Sequence, residues 1–196
     1  MQENNRQNKN NQLEPQGRQS RTAWLARMGL LVGVSVIFGF IHFPIIPTAP
    51  FLEYEASDIP ILIGGFAFGP VSGIILAVVS ILLQDLIGGL SNGPWGLLMH
   101  MVAALTFVVV TSVIYKFVKT RKGALLALII GGICLTLVMI PANLLITPIF
   151  MGVPRAAVEG LLLPAIIPFN LCKAAINIVI VFFLYKRISP FLHKMK

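Results

Sequence analysis

Two long apolar stretches separated by a short basic one decide the fold: residues 95–117 read WGLLMHMVAALTFVVVTSVIYKF and residues 124–146 read ALLALIIGGICLTLVMIPANLLI. Each can cross the ~30 Å apolar core of a bilayer as a helix, which takes about 20 residues. The linker between them, residues 118–123, reads VKTRKG. Because basic residues concentrate on the cytoplasmic side of membrane proteins, this pattern predicts two spans joined by a cytoplasmic loop.

The composition extends this interpretation to the whole chain. Of its 196 residues 57% are hydrophobic and 11% charged, and the mean hydropathy is +0.88. Soluble domains carry about 25% charged residues, so this composition excludes a soluble domain. The net charge of +8 does not indicate a nucleic-acid partner, since the basic residues lie in short clusters between apolar stretches.

We predict an all-α integral membrane protein with six transmembrane helices, at residues 23–41, 59–68, 71–87, 95–117, 124–146 and 163–185. The second segment is short, which leaves a five-span alternative with a re-entrant segment. Residues 1–22 are polar and rich in Asn and Gln, and are expected to form a disordered cytoplasmic tail before a membrane domain at 23–196.

The distribution of charge predicts that both termini lie in the cytoplasm. In that orientation all of the 15 basic residues except Arg155 and Lys173 are cytoplasmic, and all of the seven acidic residues except Glu3 and Glu14 are on the outer side. This asymmetry follows the positive-inside rule.

The common catalytic, nucleotide-binding and metal-binding motifs are absent from the sequence. It contains no GxxxxGK[ST] phosphate loop, no HExxH, no GxSxG and no His/Cys cluster with metal-ligand spacing. We therefore expect no catalytic residue, no metal and no cofactor, and favour binding or transport. A membrane enzyme using Lys173 and His100 is the alternative from another class. A channel is disfavoured because the polar residues concentrate toward the outer half.

Lys173 is the most informative residue, because a cation deep in a span costs at least ~2.5 kcal/mol without a partner. Asn170 lies one helical turn before it, on the same face. Together they predict a polar ligand clamp, although Lys173 could instead pair with a carboxylate such as Glu55. Asn143, beside Pro141, is expected to support the backbone that this proline frees.

Further candidates come from the outer loops. Glu55 is a ligand candidate or an ordinary solvated charge, and Asp58, before Ile59-Pro60, is expected to cap the second helix. Asn92 and His100 are candidates near the start of the fourth span, although His100 could also be a packing histidine. Trp95 is expected to anchor the span at the interface.

Two motifs lead to a family. The stretch Glu55-Ala-Ser-Asp58-Ile-Pro60, followed by Gly69-Pro70-Val-Ser-Gly73, resembles the acidic-x-Ser-Asp-hydrophobic-Pro and Gly-Pro-x-x-Gly motifs of the substrate-binding S components of energy-coupling factor (ECF) vitamin transporters. Residues 168–173, PFNLCK, resemble the Pro-Phe-Asn-x-x-Lys motif of the last helix in that family. The similarity runs from about residue 23 to residue 192 and is strongest to the riboflavin-binding members.

This resemblance implies a six-helix protein of the bacterial plasma membrane that binds one vitamin, riboflavin, near its outer face. Asn170 and Lys173 would contact the ligand, with Glu55 contributing from the first loop. It also implies partners: a transmembrane coupling subunit and two ATP-binding subunits. Small residues on the first helix, Ala26, Gly29 and Gly33, would form the docking face, although a GxxxG pair can also serve an internal contact.

The sequence also departs from the riboflavin-binding pattern. Residues 77–83 read AVVSILL where those members often carry Glu and Lys-Asn, and His100 stands where Asn is frequent. Other S components bind pantothenate, pyrimidine precursors, thiamin, folate or cobalamin, and these remain the alternative ligands.

Overall fold

A computed structural model of the chain describes residues 16–89 and 93–193. In these ranges the chain forms seven α-helices, a π-helix and a two-stranded antiparallel sheet. The elements are α1 (Gln16–Gly39), β1 (His42–Pro44), β2 (Glu53–Glu55), α2 (Asp58–Phe68), α3 (Pro70–Ile87), α4 (Gly93–Phe117), α5 (Arg121–Met151), α6 (Arg155–Leu161), the π-helix (Leu162–Ile166) and α7 (Ile167–His193).

Five helical segments are long and apolar enough to cross a membrane: Arg21–Gly39, Pro70–Ile87, Gly93–Phe117, Arg121–Met151 and Arg155–Tyr185. With the shorter α2 they make six membrane segments, so the predicted all-α architecture with a short second helix is confirmed. The large apolar side chains that remain exposed on them, such as Leu30, Val71 and Phe183, face the lipid, which is as apolar as they are.

Helix α2 is too short to span a bilayer alone, and its environment explains why it is stable. Eight of its 11 residues are buried, and it contacts α1, α3, α4 and α7. Since protein rather than lipid surrounds it, the polar groups at its ends can be satisfied within the membrane domain. It is helical throughout rather than a re-entrant loop.

Among the helix starts, those of the first and sixth spans differ most from the predicted ones. Helix α1 begins at Gln16, seven residues before the predicted start of the membrane domain at residue 23, and residues 1–15 lie outside the described part. Gln and Arg are good helix formers that extend a helix already nucleated by its apolar part. The sixth span begins at Arg155 rather than at residue 163, and the π-helix contains Pro164, whose ring nitrogen cannot donate a regular helical hydrogen bond.

A strand pairing organises the outer end. Strands β1 and β2 pair His42 with Glu55 and Phe43 with Tyr54. The loop between them packs Ala49 and Leu52 against Val158, Ile166 and Phe169, which form an apolar cluster separate from the main core. The hairpin is thereby fixed to α6 and to the start of α7, rather than standing free in solvent.

Close approach of α4 and α5 requires a glycine. A Cβ on Gly131 would lie 3.0 Å from Cδ2 of Phe107, whereas a Cβ on Gly29 meets no atom within 4 Å among the described residues. Gly131→Leu is therefore expected to destabilise the fold by about 1–3 kcal/mol through overpacking. Gly29→Leu is the matched control, and its thermal midpoint in detergent should equal that of the wild type. Equal midpoints for both variants would contradict the packing described here.

Candidate functional site

A buried ion pair joins the second and last helices. The ammonium Nζ of Lys173, on α7, lies 3.1 Å from Oδ2 of Asp58, the first residue of α2, and both side chains are almost fully buried. The alternative considered for Lys173, a pair with a carboxylate such as Glu55, is therefore present, and the carboxylate is that of Asp58. The capping role predicted for Asp58 is wrong: Ser57 occupies the N-cap position, and the Asp58 carboxylate faces α7 because a buried cation needs it there.

Asn177 and Tyr54 extend this pair to the outer hairpin. The Asn177 amide nitrogen lies 3.3 Å from Asp58 Oδ2 and donates to it, and the Tyr54 hydroxyl donates to Asn177 Oδ1 at 2.9 Å. Burial and, to a smaller extent, the Asp58 carboxylate raise the pKa of Tyr54 to about 12, so the hydroxyl remains a donor at physiological pH. The hairpin is thus hydrogen-bonded to the middle of α7.

His100 makes a second pair beside the first. Its Nδ1 lies 2.8 Å from Glu55 Oε2, and its Nε2 lies 3.6 Å from Asp58 Oδ1, which is longer than a hydrogen bond. Burial acts to raise the pKa of Glu55, but His100 and then Lys173 outweigh it and hold that pKa below its ordinary value. Glu55 is therefore ionised at neutral pH, and it is a partly buried partner of His100 rather than a solvated charge.

These groups border an open cavity at the outer end. Its empty space, open mouth included, is about 710 Å³. It is lined by parts of the hairpin loop, the start of α4, the end of α5 and the start of α7. Its aromatic lining consists of Phe51, Trp95, Phe150 and Phe169, and its polar lining of Glu53, Glu55, His100, Asn143, Thr147, Asn170 and Lys173.

Asn170 carries an unused acceptor at this cavity. Its amide nitrogen donates to the carbonyl of Ile166 at 2.8 Å. Its Oδ1 is buried and has no hydrogen-bond partner within residues 16–89 and 93–193. Buried polar atoms are nearly always satisfied, so this oxygen is positioned to accept a hydrogen bond from a ligand.

Four of the candidate site residues, Glu55, His100, Asn170 and Lys173, thus meet at one cavity. Asn92 lies outside the described residues. The small residues of the first helix, Ala26, Gly29 and Gly33, are exposed on α1, and no atom in the described chain lies within 4 Å of a Cβ placed on either glycine. Within the described part of the chain, the two glycines on this face of α1 thus make no close internal contact.

Two residues that the sequence analysis named for other roles, and one that it did not name, also line the cavity. The side-chain amide of Asn143 donates to the carbonyl of Met139 at 2.8 Å. Pro141 frees a different carbonyl, that of Leu137, because a proline has no N–H to donate four residues back. The role predicted for Asn143, support of the backbone that Pro141 frees, is therefore wrong. Its Oδ1 accepts from Thr147 at 2.9 Å, and both residues line the cavity. The sequence signal for these two residues was their i, i+4 spacing near the outer end of a span, which places two polar side chains on one face of the helix. Trp95, predicted as an interfacial anchor, also lines the cavity.

The buried pair leads to a stability prediction. In Asp58→Asn the Lys173 ammonium stays buried without its counterion, which is expected to cost about 3–5 kcal/mol and to lower the thermal midpoint in detergent. The double variant D58N/K173M should recover part of this loss, since no lone charge stays buried. Arg155→Ala, which breaks the exposed pair with Glu159, serves as the control and should leave the midpoint unchanged. A wild-type midpoint for Asp58→Asn would contradict the pairing.

Comparisons with known proteins agree with this geometry. The profile of the family described as "ECF transporter, substrate-specific component" matches residues 24–185. A solved structure described as "Structure and mechanism of the S component of a bacterial ECF transporter" is 32% identical and superposes with a TM-score of 0.77, over 88% of this chain and 98% of that one.

Relatives extend the match over almost the whole chain. The riboflavin transporter RibU of Staphylococcus aureus (strain TCH60) is 30% identical over 87% of this chain and 93% of its own length. RibU of Streptococcus thermophilus (strain ATCC BAA-250 / LMG 18311) is 31% identical over 90% and 87%. The riboflavin transporter FmnP of Bacillus subtilis (strain 168) is 23% identical over 88% and 95%. This chain, a multi-pass protein of the bacterial cell membrane, therefore belongs to the family of substrate-specific components of ECF transporters.

Proposed function

We propose that this chain binds riboflavin at its outer cavity and mediates its uptake. The observation that carries the proposal is the arrangement of Asn170 and Lys173: a buried, unpartnered amide oxygen beside an ammonium that lines the same cavity. The pyrimidine edge of a flavin alternates carbonyl acceptors with an N–H donor. An acceptor and a donor placed one helical turn apart complement that edge.

The rest of the cavity suits the other parts of a flavin. Phe51, Trp95, Phe150 and Phe169 supply apolar and aromatic surface for the flat ring system. Glu53 and Thr147 supply polar groups for the hydroxyls of the side chain. That the relatives matched over most of their length are named riboflavin transporters supports this choice among vitamins.

The charges favour an uncharged ligand. Each basic side chain lining the cavity has a carboxylate beside it: Lys173 lies 3.1 Å from Asp58, and His100 lies 2.8 Å from Glu55. An additional phosphate would have to compete with these carboxylates in a region of low dielectric. The site is therefore better matched to riboflavin than to a phosphorylated flavin.

The enzyme alternative is wrong, because the family consists of substrate-binding components of transporters. His100 and Lys173 do come together, as that alternative required, but both contact Asp58. Their arrangement is that of a paired charge cluster bordering a binding cavity.

Uptake in this family uses an ECF module. For this chain we propose a transmembrane coupling subunit and two ATP-binding subunits, since the sequence has no phosphate loop of its own. The exposed face of α1 at Ala26, Gly29 and Gly33 would be the docking surface, because small residues let another helix approach closely.

Binding is tested by titrating the purified protein with riboflavin and following the quenching of flavin fluorescence. Asn170→Ala removes the acceptor and should weaken binding about 10-fold or more. Leu171→Ala, at the neighbouring, half-exposed position, is the matched control and should bind as the wild type does. A wild-type protein that leaves the fluorescence unchanged would contradict the riboflavin assignment and point to another vitamin.

Docking is tested separately with the double variant G29L/G33L. Both leucines would project where the described chain leaves open space, so riboflavin binding should be unchanged while copurification of the coupling subunit and uptake into cells fall steeply. The single variant Gly160→Leu, also in open space but on the outer side, is the control for bulk alone. Full uptake by the double variant would exclude α1 as the docking face.

A further inference from the structure

Two polar residues that do not line the outer cavity lie directly behind its ion pair. Tyr54 of β2 and Asn177 of α7 are 3% and 0% exposed, and neither is among the residues that line the cavity. They are joined to Lys173, which does line it, through the carboxylate of Asp58. We propose that Asn177, held by Tyr54, is a positioning residue: acting through Asp58, it fixes the direction in which Lys173 donates hydrogen bonds into the cavity. The inference rests on the riboflavin site proposed above.

The hairpin presents different side chains to the cavity and to α7. Glu53 and Glu55 both line the cavity, whereas Tyr54, which lies between them in β2, is buried. Successive side chains of a strand point to opposite faces, so Tyr54 occupies the face of β2 that is turned away from the cavity. Its ring packs against Phe43 of the paired strand, with the ring centroids 5.4 Å apart, and its hydroxyl reaches Asn177 on α7.

Three polar residues follow one another along a single face of α7. Asn170, Lys173 and Asn177 are spaced by three and four residues, which places them one above the other on the helix. The first two line the cavity, and Asn177 lies one turn deeper in the membrane domain. A buried side-chain amide at that depth needs a partner for its nitrogen and another for its oxygen. Asp58 and Tyr54 supply these two partners.

The amide of Asn177 has one orientation that suits both of its neighbours. Its nitrogen lies 3.3 Å from Asp58 Oδ2 and donates to it, and its Oδ1 accepts from the Tyr54 hydroxyl at 2.9 Å. If the amide were turned over, its oxygen would face the carboxylate, and two acceptors would be in contact with no hydrogen between them. The two hydrogen bonds therefore favour the same orientation, and Tyr54 influences the Asp58 carboxylate through Asn177.

Two donors converge on one oxygen of Asp58. Lys173 Nζ lies 3.1 Å from Oδ2, which is the same atom that accepts from Asn177. The other oxygen, Oδ1, has no hydrogen-bond partner within residues 16–89 and 93–193. The last side-chain torsion of an aspartate is broad, so without Asn177 the carboxylate could rotate and turn both oxygens toward the ammonium. The amide of Asn177 opposes this rotation and keeps Oδ2 alone directed at Lys173.

The fixed carboxylate leaves part of the ammonium to a ligand. An ammonium has three N–H donors, and in the described part of the chain Asp58 is the group to which Lys173 donates. The remaining donors are therefore available to the cavity that Lys173 lines. A lysine side chain has many rotamers, and ordering it when a ligand binds costs free energy. By fixing Asp58, Asn177 orders the Lys173 donors before the ligand arrives.

The test measures two quantities for the full chain in detergent: the thermal midpoint, and the dissociation constant for riboflavin from fluorescence quenching or, where binding is weak, equilibrium dialysis. Tyr54→Phe removes only the hydroxyl and should weaken riboflavin binding about 3- to 10-fold. Asn177→Leu, which is close in volume, removes both hydrogen bonds and should weaken it about 10-fold or more.

The matched control is Tyr115→Phe. It removes the hydroxyl of a second buried tyrosine, which is hydrogen-bonded to Tyr185 and does not line the outer cavity. This variant should lower the thermal midpoint about as much as Tyr54→Phe does, yet bind riboflavin within about 2-fold of the wild type. An equal loss of affinity in Tyr115→Phe would overturn the inference, because it would show that affinity follows stability alone.

A double-mutant cycle separates positioning from general support of the hairpin. In the D58N/K173M background, Tyr54→Phe should change the affinity less than about 2-fold, because the pair through which it acts is gone. In the Asn170→Ala background it should keep its full effect. The same loss in every background would overturn the inference, as would wild-type affinity of both Tyr54→Phe and Asn177→Leu, and either result would leave the proposed function intact. A wild type that binds no riboflavin would instead overturn the proposed function, and this inference with it.

Discussion

The ion pair between Lys173 and Asp58 is the interaction on which the outer half of the molecule depends. An ammonium within a membrane helix must be paired or reach water, because its desolvation is costly. Asp58 supplies the partner at 3.1 Å, and it can do so only because α2 is short and begins inside the protein. The pair therefore determines where α2 starts against α7, and so where the hairpin before it lies.

The hydrogen bonds and ion pairs around this pair connect the elements that enclose the outer cavity. Tyr54 and Asn177 connect the hairpin to α7, and Glu55 brings His100 of α4 to the same cluster. Three elements distant in sequence are thereby held at fixed separations by polar contacts. The polar groups at the cavity, above all the Asn170 amide, are thereby held in place before a ligand binds, which lowers the entropic cost of binding.

The two ends of the molecule handle charge in opposite ways. At the outer end each basic side chain lining the cavity has a carboxylate beside it, which suits an uncharged vitamin. At the cytoplasmic end the basic residues Lys116, Arg121 and Lys122 lie at the end of α4 and the start of α5. The positive-inside asymmetry that orients the chain thus leaves the described acidic residues at the end that carries the outer cavity.

The sequence by itself determined the class, the six segments and the orientation, because hydropathy over 20 residues and the position of Lys and Arg are properties of the chain alone. It also singled out Asn170 and Lys173, whose spacing on one helix is local. The partner of Lys173 was decided only by the tertiary structure. Before Ile59-Pro60, Asp58 has the local pattern of a helix cap, and nothing near it in sequence shows that α7 packs alongside. That Asn143 and Thr147 line the cavity likewise follows only from the packing of α5 against α7. Contacts between distant segments depend on how helices pack, which local periodicity does not encode.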